Sequence, residues 1–111
     1  MKVRTVRLGD LAHARSGDKG DRANIGVVAR DRASYELLRR FLTVEVAAKF
    51  LEPMGVGDVK RYELPGIHAF NFVIEKALAG GAGGSTRLDT QGKALASAFL
   101  ELSIPIDDTR D

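Results

Sequence analysis

The chain contains no cysteine among its 111 residues. This absence excludes disulfide bonds, thiolate metal sites such as zinc knuckles, and a cysteine nucleophile. No stretch approaches the roughly 18 apolar residues that a membrane-spanning helix needs. The first ten residues alternate charged with apolar side chains, whereas a signal peptide needs a continuous apolar run. These absences predict a cytoplasmic protein that does not associate with a membrane.

The chain also has little excess charge of either sign, because its 17 Lys and Arg residues nearly balance its 15 Asp and Glu residues, for a net charge of +2. So small a surplus does not indicate a nucleic-acid-binding surface. The arginines at positions 30, 32, 39 and 40 are interleaved with Asp31 and Glu36, which is typical of a solvated helix face. With 44% hydrophobic residues, we expect a single domain over residues 1–106 and a frayed tail over residues 107–111.

The most unusual stretch is RSGDKGDRANIG, residues 15–26. It places five charged side chains within eight residues, together with two glycines, a composition that favours neither a buried strand nor a helix. We therefore predict an ordered functional loop. Ordering a backbone costs about 1–2 kcal/mol per residue, while an exposed ion pair contributes only about 0–1 kcal/mol. The packed domain, a partner chain or an anionic ligand is expected to hold this stretch in place.

Apolar periodicity predicts strands over residues 2–8, 23–29, 58–64 and 102–106. The glycine at position 26 permits a bulge or a close backbone approach. Residues 58–64 have two mixed faces, which suits an edge strand or a subunit contact. A helix is expected to begin after Asp31 or Ser34, and Thr43 can cap a continuation of it, so that the two parts make one long or bent helix. The proline and glycines of residues 53–57 should end it.

The segment IHAFNFVIEKAL, residues 67–78, fits both a helical and a strand period, and we favour the helix. A glycine-rich turn at residues 80–84 follows it. Asp89 is a plausible N-cap for a helix with its apolar stripe over residues 94–102. This order of elements predicts an α+β fold, a ferredoxin-like sandwich in which helices lie on one face of a small, mostly antiparallel sheet.

Three strings in the sequence resemble the small ferredoxin-fold domain at the C-terminus of the acyclic terpene utilisation protein AtuA. They are RSGDKGDRANIGVVAR, VKRYELPGIHAFNFV and the later run through RLDTQGKALA. The resemblance covers residues 3–102, and its first string is specific. It places Asn71 in the second motif, and Arg87 and Asp89 in the third.

The resemblance implies a ferredoxin-like fold and an association with bacterial catabolism of acyclic terpenoid or related acyl-CoA compounds. The larger relatives carry an N-terminal domain that this sequence lacks. We therefore expect an accessory or assembly subunit, acting as a homo-oligomer or with a separately encoded large AtuA-type partner. The charged stretch would serve for subunit contact or for binding an acyl-CoA or another phosphate-bearing ligand.

The candidate residues for ligand binding or for an interface are charged or polar side chains within the three motifs. They are Arg15, Ser16, Asp18, Lys19, Asp21, Arg22, Asn24, His68, Asn71, Arg87 and Asp89. Arginine forks and backbone N–H groups at glycines would suit a phosphate or a carboxylate. The alternative is a structural charge network that braces a subunit interface.

A different class of function is a small enzyme with its site between the charged stretch and residues 68–71. His68 could then act as an acid or base. A catalytic triad of Ser16, His68 and an aspartate has little support, because the sequence contains no GxSxG motif. The spacing of Asp18, Asp21 and Asn24 differs from that of a calcium loop, and the glycine cluster fits neither phosphate-binding fingerprint. No metal and no cofactor are expected.

Overall fold

The computed structural model describes residues 3–19, 22–75 and 93–107. The strands are β1 (Val3–Arg7), β2 (Ala12–Lys19), β3 (Arg22–Ala29), β4 (Val59–Leu64), β5 (Ala69–Ile74) and β6 (Ser103–Asp107). The helices are α1 (Arg32–Phe41), α2 (Val44–Leu51) and α3 (Lys93–Phe99). No helix within these ranges has the length and apolar content needed to cross a membrane.

A four-stranded antiparallel sheet forms the centre of the domain, in the order β2-β3-β5-β4. Strand β5 lies between β3 and β4 and is antiparallel to both. The strands β3 and β4 are therefore parallel, with α1 and α2 connecting them, which is the split β-α-β unit of ferredoxin-like folds. Strands β1 and β6 form a separate antiparallel pair. The predicted ferredoxin-like α+β class is confirmed.

The helices pack on one face of this sheet, where alternate side chains of β3 and β5 are buried. Tyr35 of α1 stacks on Phe70 with 4.9 Å between ring centroids. Phe99 of α3 meets Phe72 edge-on at 5.4 Å and Phe50 of α2 at 5.8 Å. Full burial of one such side chain contributes about 1.5–3 kcal/mol. This aromatic layer therefore fixes the helices to the sheet.

Side-chain caps begin α1 and α2. The Asp31 carboxylate accepts a hydrogen bond from the Ser34 backbone N–H at 2.8 Å, so Asp31 is the N-cap of the two residues that the sequence offered. The Thr43 hydroxyl accepts from the Val46 N–H at 3.1 Å. The cap expected at Thr43 is confirmed, but the long or bent helix is two separate helices, because Leu42 has a non-helical backbone (φ −91°, ψ 74°) between α1 and α2.

Arg61 of β4 connects the sheet to the C-terminal end of α1. Its guanidinium donates to the Leu42 carbonyl at 2.8 Å and to the Arg39 carbonyl at 3.3 Å, satisfying carbonyls that a helix end leaves without partners. The same group pairs with Glu63 at 2.8 Å and lies 5.0 Å from the ring centroid of Phe70.

The strands predicted at residues 2–8, 23–29, 58–64 and 102–106 are confirmed as β1, β3, β4 and β6. Among the described strands, β4 lies at one edge of the four-stranded sheet, which fits the first of the two alternatives expected for residues 58–64. The helix favoured for residues 67–78 is wrong, because residues 69–74 form β5, which hydrogen-bonds to β3 on one side and to β4 on the other. The predicted glycine-rich turn and the Asp89 cap lie outside the described residues.

Candidate functional site

The charged stretch is a β-hairpin rather than the predicted loop. Residues 12–19 form β2, which pairs in regular register with all of β3, from Ala12 opposite Ala29 to Lys19 opposite Arg22. The composition of residues 15–19 does not favour a strand, and hydrogen bonding to β3 is what holds this segment in an extended conformation. Gly17 is a ladder position opposite Asn24, and Gly26 is opposite Arg15. The regular register rules out the bulge suggested for Gly26 and gives Gly17 an ordinary strand backbone rather than an anion-binding turn.

The two-residue period of β2 divides the motif between the two faces of the sheet. Arg15 and Gly17 face away from the helices, whereas Ser16 faces the helix side opposite Ile25. We call the face away from the helices the open face. By register it contains His13, Arg15, Gly17, Asn24, Gly26, Val28, Lys60, Tyr62, Leu64, Ala69, Asn71 and Val73.

An amide pair lies at the centre of the open face. The Asn24 side chain donates a hydrogen bond from Nδ2 to Oδ1 of Asn71 at 3.0 Å. The two residues are diagonal neighbours, because Asn71 lies directly opposite Gly26 and Asn24 lies opposite Val73. Gly26 lies next to this pair, and a Cβ atom there would come within 4 Å of neither amide. Residues from the first and second sequence motifs thus meet on this face.

Gly26 also opens a gap between Arg15 and Asn71. The three residues form one row across β2, β3 and β5, so the two side chains are two strand spacings apart, about 10 Å. A Cβ atom at Gly26 would meet only the Arg15 carbonyl oxygen, at 3.8 Å. Arg15 is exposed, and no described residue forms a hydrogen bond or an ion pair with its guanidinium. A cation and an amide therefore flank an open depression.

Next to this depression lies an apolar patch made of Val28, Tyr62 and Leu64. These side chains are 43%, 48% and 42% exposed. Val28 and Leu64 flank the buried Ala69 in one row of the sheet, and Tyr62 lies beside Asn71 in the next row. Such contiguous exposure of large apolar side chains marks interaction surfaces more often than isolated residues do.

Arg22 is neutralised within the chain. Its guanidinium Nε lies 3.1 Å from a carboxylate oxygen of Glu75 and 3.3 Å from the other oxygen. This ion pair links the start of β3 to the end of β5. Arg22 is thus less available to an anion than Arg15.

Ser16 lies on the other side of the hairpin. Together with Ala14 and Arg15 it borders a cavity of about 430 Å³ between β2 and α3, whose helix side is lined by Ala96, Ser97 and Leu100. The lining is small and mainly apolar on the helix side. The structure therefore does not place Ser16 with Asn24 and Asn71.

His68 is also separate from the open-face residues. It has a left-handed backbone (φ 52°) at the end of a short 3-10 turn, and its ring centroid lies 5.5 Å from that of the buried Tyr35. His68 therefore packs toward the helix side, whereas Asn71 belongs to the open face. The arrangement does not bring the imidazole to the charged stretch.

The remaining candidate residues from the sequence lie at the end of β2 or outside the described residues. Asp18 and Lys19 occupy the last two positions of β2, and Asp21, Arg87 and Asp89 lie outside the described residues. Within residues 3–19, 22–75 and 93–107, no three His, Asp or Glu side chains converge as metal ligands would.

Sequence reasoning missed three members of this face, namely Val28, Tyr62 and Leu64. Tyr62 and Leu64 share one face of the predicted strand at residues 58–64, and that alternation was the available signal. What the sequence did not reveal was β5, which lies between this strand and β3 and so places Val28 on the same sheet face as the other two residues.

The split β-α-β unit, the antiparallel sheet and the sheet face that no described helix covers together define a ferredoxin-like domain. The family model described as AtuA ferredoxin-like domain matches residues 6–105, and the chain belongs to this family. The resemblance inferred from the sequence motifs is thereby confirmed, and it indicates an AtuA-related role. The comparison with curated proteins gave no match, and neither did the comparison with solved structures.

Proposed function

We propose that this domain is an accessory or assembly subunit in the catabolism of acyclic terpenoid or related acyl-CoA compounds. It docks through its open face onto a large AtuA-type subunit. The observation that carries the proposal is that the apolar patch shares the open face with Arg15, an exposed cation that pairs with no described residue. Membership of the AtuA ferredoxin-like family supports the choice of partner.

The chemistry of the open face specifies what the partner must present. The apolar patch requires an apolar counterpart, since only its removal from water stabilises a complex. Arg15 and the exposed Lys60 lie on the same face, and they favour a partner surface with carboxylates. The amide pair of Asn24 and Asn71 offers further donors and acceptors at the centre of the contact.

The proposal is tested by co-expressing the chain with a large AtuA-type subunit and measuring the affinity of the purified pair. Val28→Glu places a charge in the apolar patch, and Arg15→Glu reverses the charge of the open-face cation. We expect each variant to weaken binding by about tenfold or more, as central contact residues do.

Two matched controls carry the same chemical changes elsewhere. Met54→Glu alters another exposed apolar residue, which follows α2, and Lys49→Glu reverses an exposed cation within α2. Both controls should bind as the unmodified chain does. Equal affinities for all four variants, or no binding by the unmodified chain, would contradict docking through the open face.

A second candidate function is favoured by the depression over Gly26. A carboxylate or phosphate of an acyl-CoA-type ligand would receive charged hydrogen bonds from Arg15 and a neutral one from the Asn71 amide. Coenzyme A at millimolar concentration should then raise the melting temperature by mass action. The Arg15→Gln variant should abolish that shift, whereas Lys49→Gln should retain it. The absence of any shift for the unmodified chain would dismiss this candidate.

A further inference from the structure

The outer edge of β4 is a free hydrogen-bonding edge within the described part of the chain. The sheet ends at β4 in the order β2-β3-β5-β4. The Glu75 N–H donates to the Asp58 carbonyl at 2.8 Å. In an antiparallel pair every second residue directs its backbone N–H and C=O groups toward the neighbouring strand, so this bond determines which residues of β4 do so. Lys60, Tyr62 and Leu64 then direct their backbone groups toward β5. Those of Val59, Arg61 and Glu63 point away from the sheet.

We propose that two copies of this chain pair through their β4 strands, antiparallel about a two-fold axis next to Tyr62, to form one continuous eight-stranded sheet. This inference goes beyond the proposed function, since it needs no partner other than a second copy. Strand β4 is suited to such pairing because it has no proline between Val59 and Leu64. Pro65, which lacks an N–H, ends the pairing edge.

Face continuity restricts the register. Directly opposed residues in an antiparallel pair lie on the same face. The open faces of two copies therefore join only if even-numbered residues of β4 oppose even-numbered ones and odd-numbered residues oppose odd-numbered ones. Two central registers satisfy this condition and also use the outward-pointing backbone groups. One places Arg61 opposite Arg61 of the second copy. The other places Tyr62 opposite Tyr62, with each Arg61 opposite Glu63 of the second copy.

Charge selects between these registers. The first register opposes two guanidinium groups, and like charges directly opposite each other are destabilising. In the second register Arg61 of each copy lies opposite Glu63 of the other copy, once on each side of the axis. Each positive charge is therefore next to a negative one. Since Arg61 and Glu63 already lie 2.8 Å apart within one chain, the second pair extends an existing ion pair. The sequence of β4 is therefore complementary to itself in the Tyr62 register.

Pairing in this register also enlarges the open face. Tyr62 and Leu64 are the members of the apolar patch that lie on β4, and both are more than two-fifths exposed. In the dimer the two patches become neighbours across the axis. A large subunit docking there would meet one apolar surface of twice the area. The dimer forms whether or not such a subunit exists.

A single engineered cysteine tests the register, because the chain has no cysteine of its own. In the Tyr62 register, Tyr62→Cys places two sulfurs across a non-hydrogen-bonded pair with Cα atoms about 4.5 Å apart, within the range of a disulfide. The matched control is Lys60→Cys, on the same face of β4. Its two copies would lie four residues apart along the paired strands, about 13 Å, too far for a disulfide.

Under mild oxidation at micromolar protein, we expect Tyr62→Cys to cross-link on the order of 100-fold faster than Lys60→Cys, as millimolar effective concentration predicts. Equal rates for the two variants would indicate random collision and would overturn the register. The unmodified chain should have twice its 12.0 kDa mass in light scattering. A monomer at millimolar concentration would overturn the dimer.

Charge variants give an independent test in solution. Glu63→Arg opposes Arg61 of the second copy with a like charge, and Arg61→Glu opposes Glu63 likewise, so each variant alone should be monomeric. Mixed together, the two variants restore both opposite-charge pairs and should form a heterodimer. Circular dichroism establishes that each variant is folded. Should Arg61→Glu fail to fold, the cross-linking ratio decides. A failed heterodimer between two folded variants would contradict the register without affecting docking through the open face.

Discussion

The Tyr35 ring stacks on Phe70 in the core, with 4.9 Å between the ring centroids, yet none of the described residues forms a hydrogen bond with the Tyr35 hydroxyl. The side chain is 4% exposed. Burial raises the pKa of this phenol, and the nearby Glu63 carboxylate raises it further. The ring therefore stabilises the domain through packing, while the hydroxyl is desolvated without compensation.

We predict that Tyr35→Phe is neutral or stabilising. Leaving a buried polar group unsatisfied costs about 1–3 kcal/mol, and phenylalanine keeps the stacked ring while removing that group. Urea denaturation should give an unfolding free energy equal to or above that of the unmodified chain. The control Tyr35→Leu removes the ring and should be destabilising. A clear loss of stability in Tyr35→Phe would imply a partner for the hydroxyl.

We predict that Arg61→Lys destabilises the domain although it preserves the charge. Lysine cannot reproduce the fork that reaches Leu42, Arg39 and Glu63 together, nor the planar contact with Phe70. The expected loss in unfolding free energy is about 1–2 kcal/mol. Arg39→Lys alters an exposed pair with Glu36 and should change stability by less than about 0.5 kcal/mol. Equal effects of the two substitutions would argue against the role of Arg61 at the end of α1.

We predict opposite effects for valine at Gly26 and alanine at Gly17. Glycine weakens a strand interior, and a β-branched residue suits it. With only an ordinary contact at 3.8 Å, Gly26→Val should raise the melting temperature while it fills the depression beside Arg15 and weakens any anion binding there. At Gly17 a Cβ atom would lie 3.3 Å from Asn24 Oδ1. Gly17→Ala should therefore disturb the amide pair. Thermal melts and coenzyme A titrations measure both effects.

We predict a pH dependence at the N-terminus of α1. The hydrogen bond from the Ser34 backbone lowers the pKa of Asp31 below its ordinary value of 3.8. A depressed folded-state pKa contributes stability that is present above that ordinary value and is lost as the pH falls through the folded-state pKa.

The Asp31→Asn variant tests this dependence. Asparagine keeps a capping oxygen but does not titrate. At neutral pH the unmodified chain should melt at the higher temperature, and the difference should shrink as the pH falls below 3.8. A difference that stays constant over this range would contradict the assignment to Asp31.

The sequence predicted those helices and strands whose capping residues or apolar patterns lie within the element itself. Asp31 and Thr43 marked the two helix starts because capping is a local interaction. Strand β3 was predictable from its β-branched apolar run, and the strand at residues 58–64 from its alternation. These elements and the motif strings were sufficient for the fold class and the family.

The two elements that sequence reasoning missed are ordered by pairing. Strand β2 contains Arg15, Ser16, Gly17, Asp18 and Lys19, a composition with no strand preference, and β3 supplies its hydrogen bonds. Strand β5 has an apolar pattern that fits two periods, and only its position between β3 and β4 selects the strand. The open face depends on both strands, which is why Arg15 and Asn71 could be named from the sequence but their placement on a common face could not.

The alternation of β2 has a genetic consequence. Consecutive codons of the charged motif encode side chains on opposite surfaces of the protein, so substitutions at neighbouring positions affect different contacts. A saturation scan of residues 12–17 should give two interleaved phenotypes. Changes at the odd-numbered positions should alter assembly or ligand capture, and changes at the even-numbered positions should alter folding against α3.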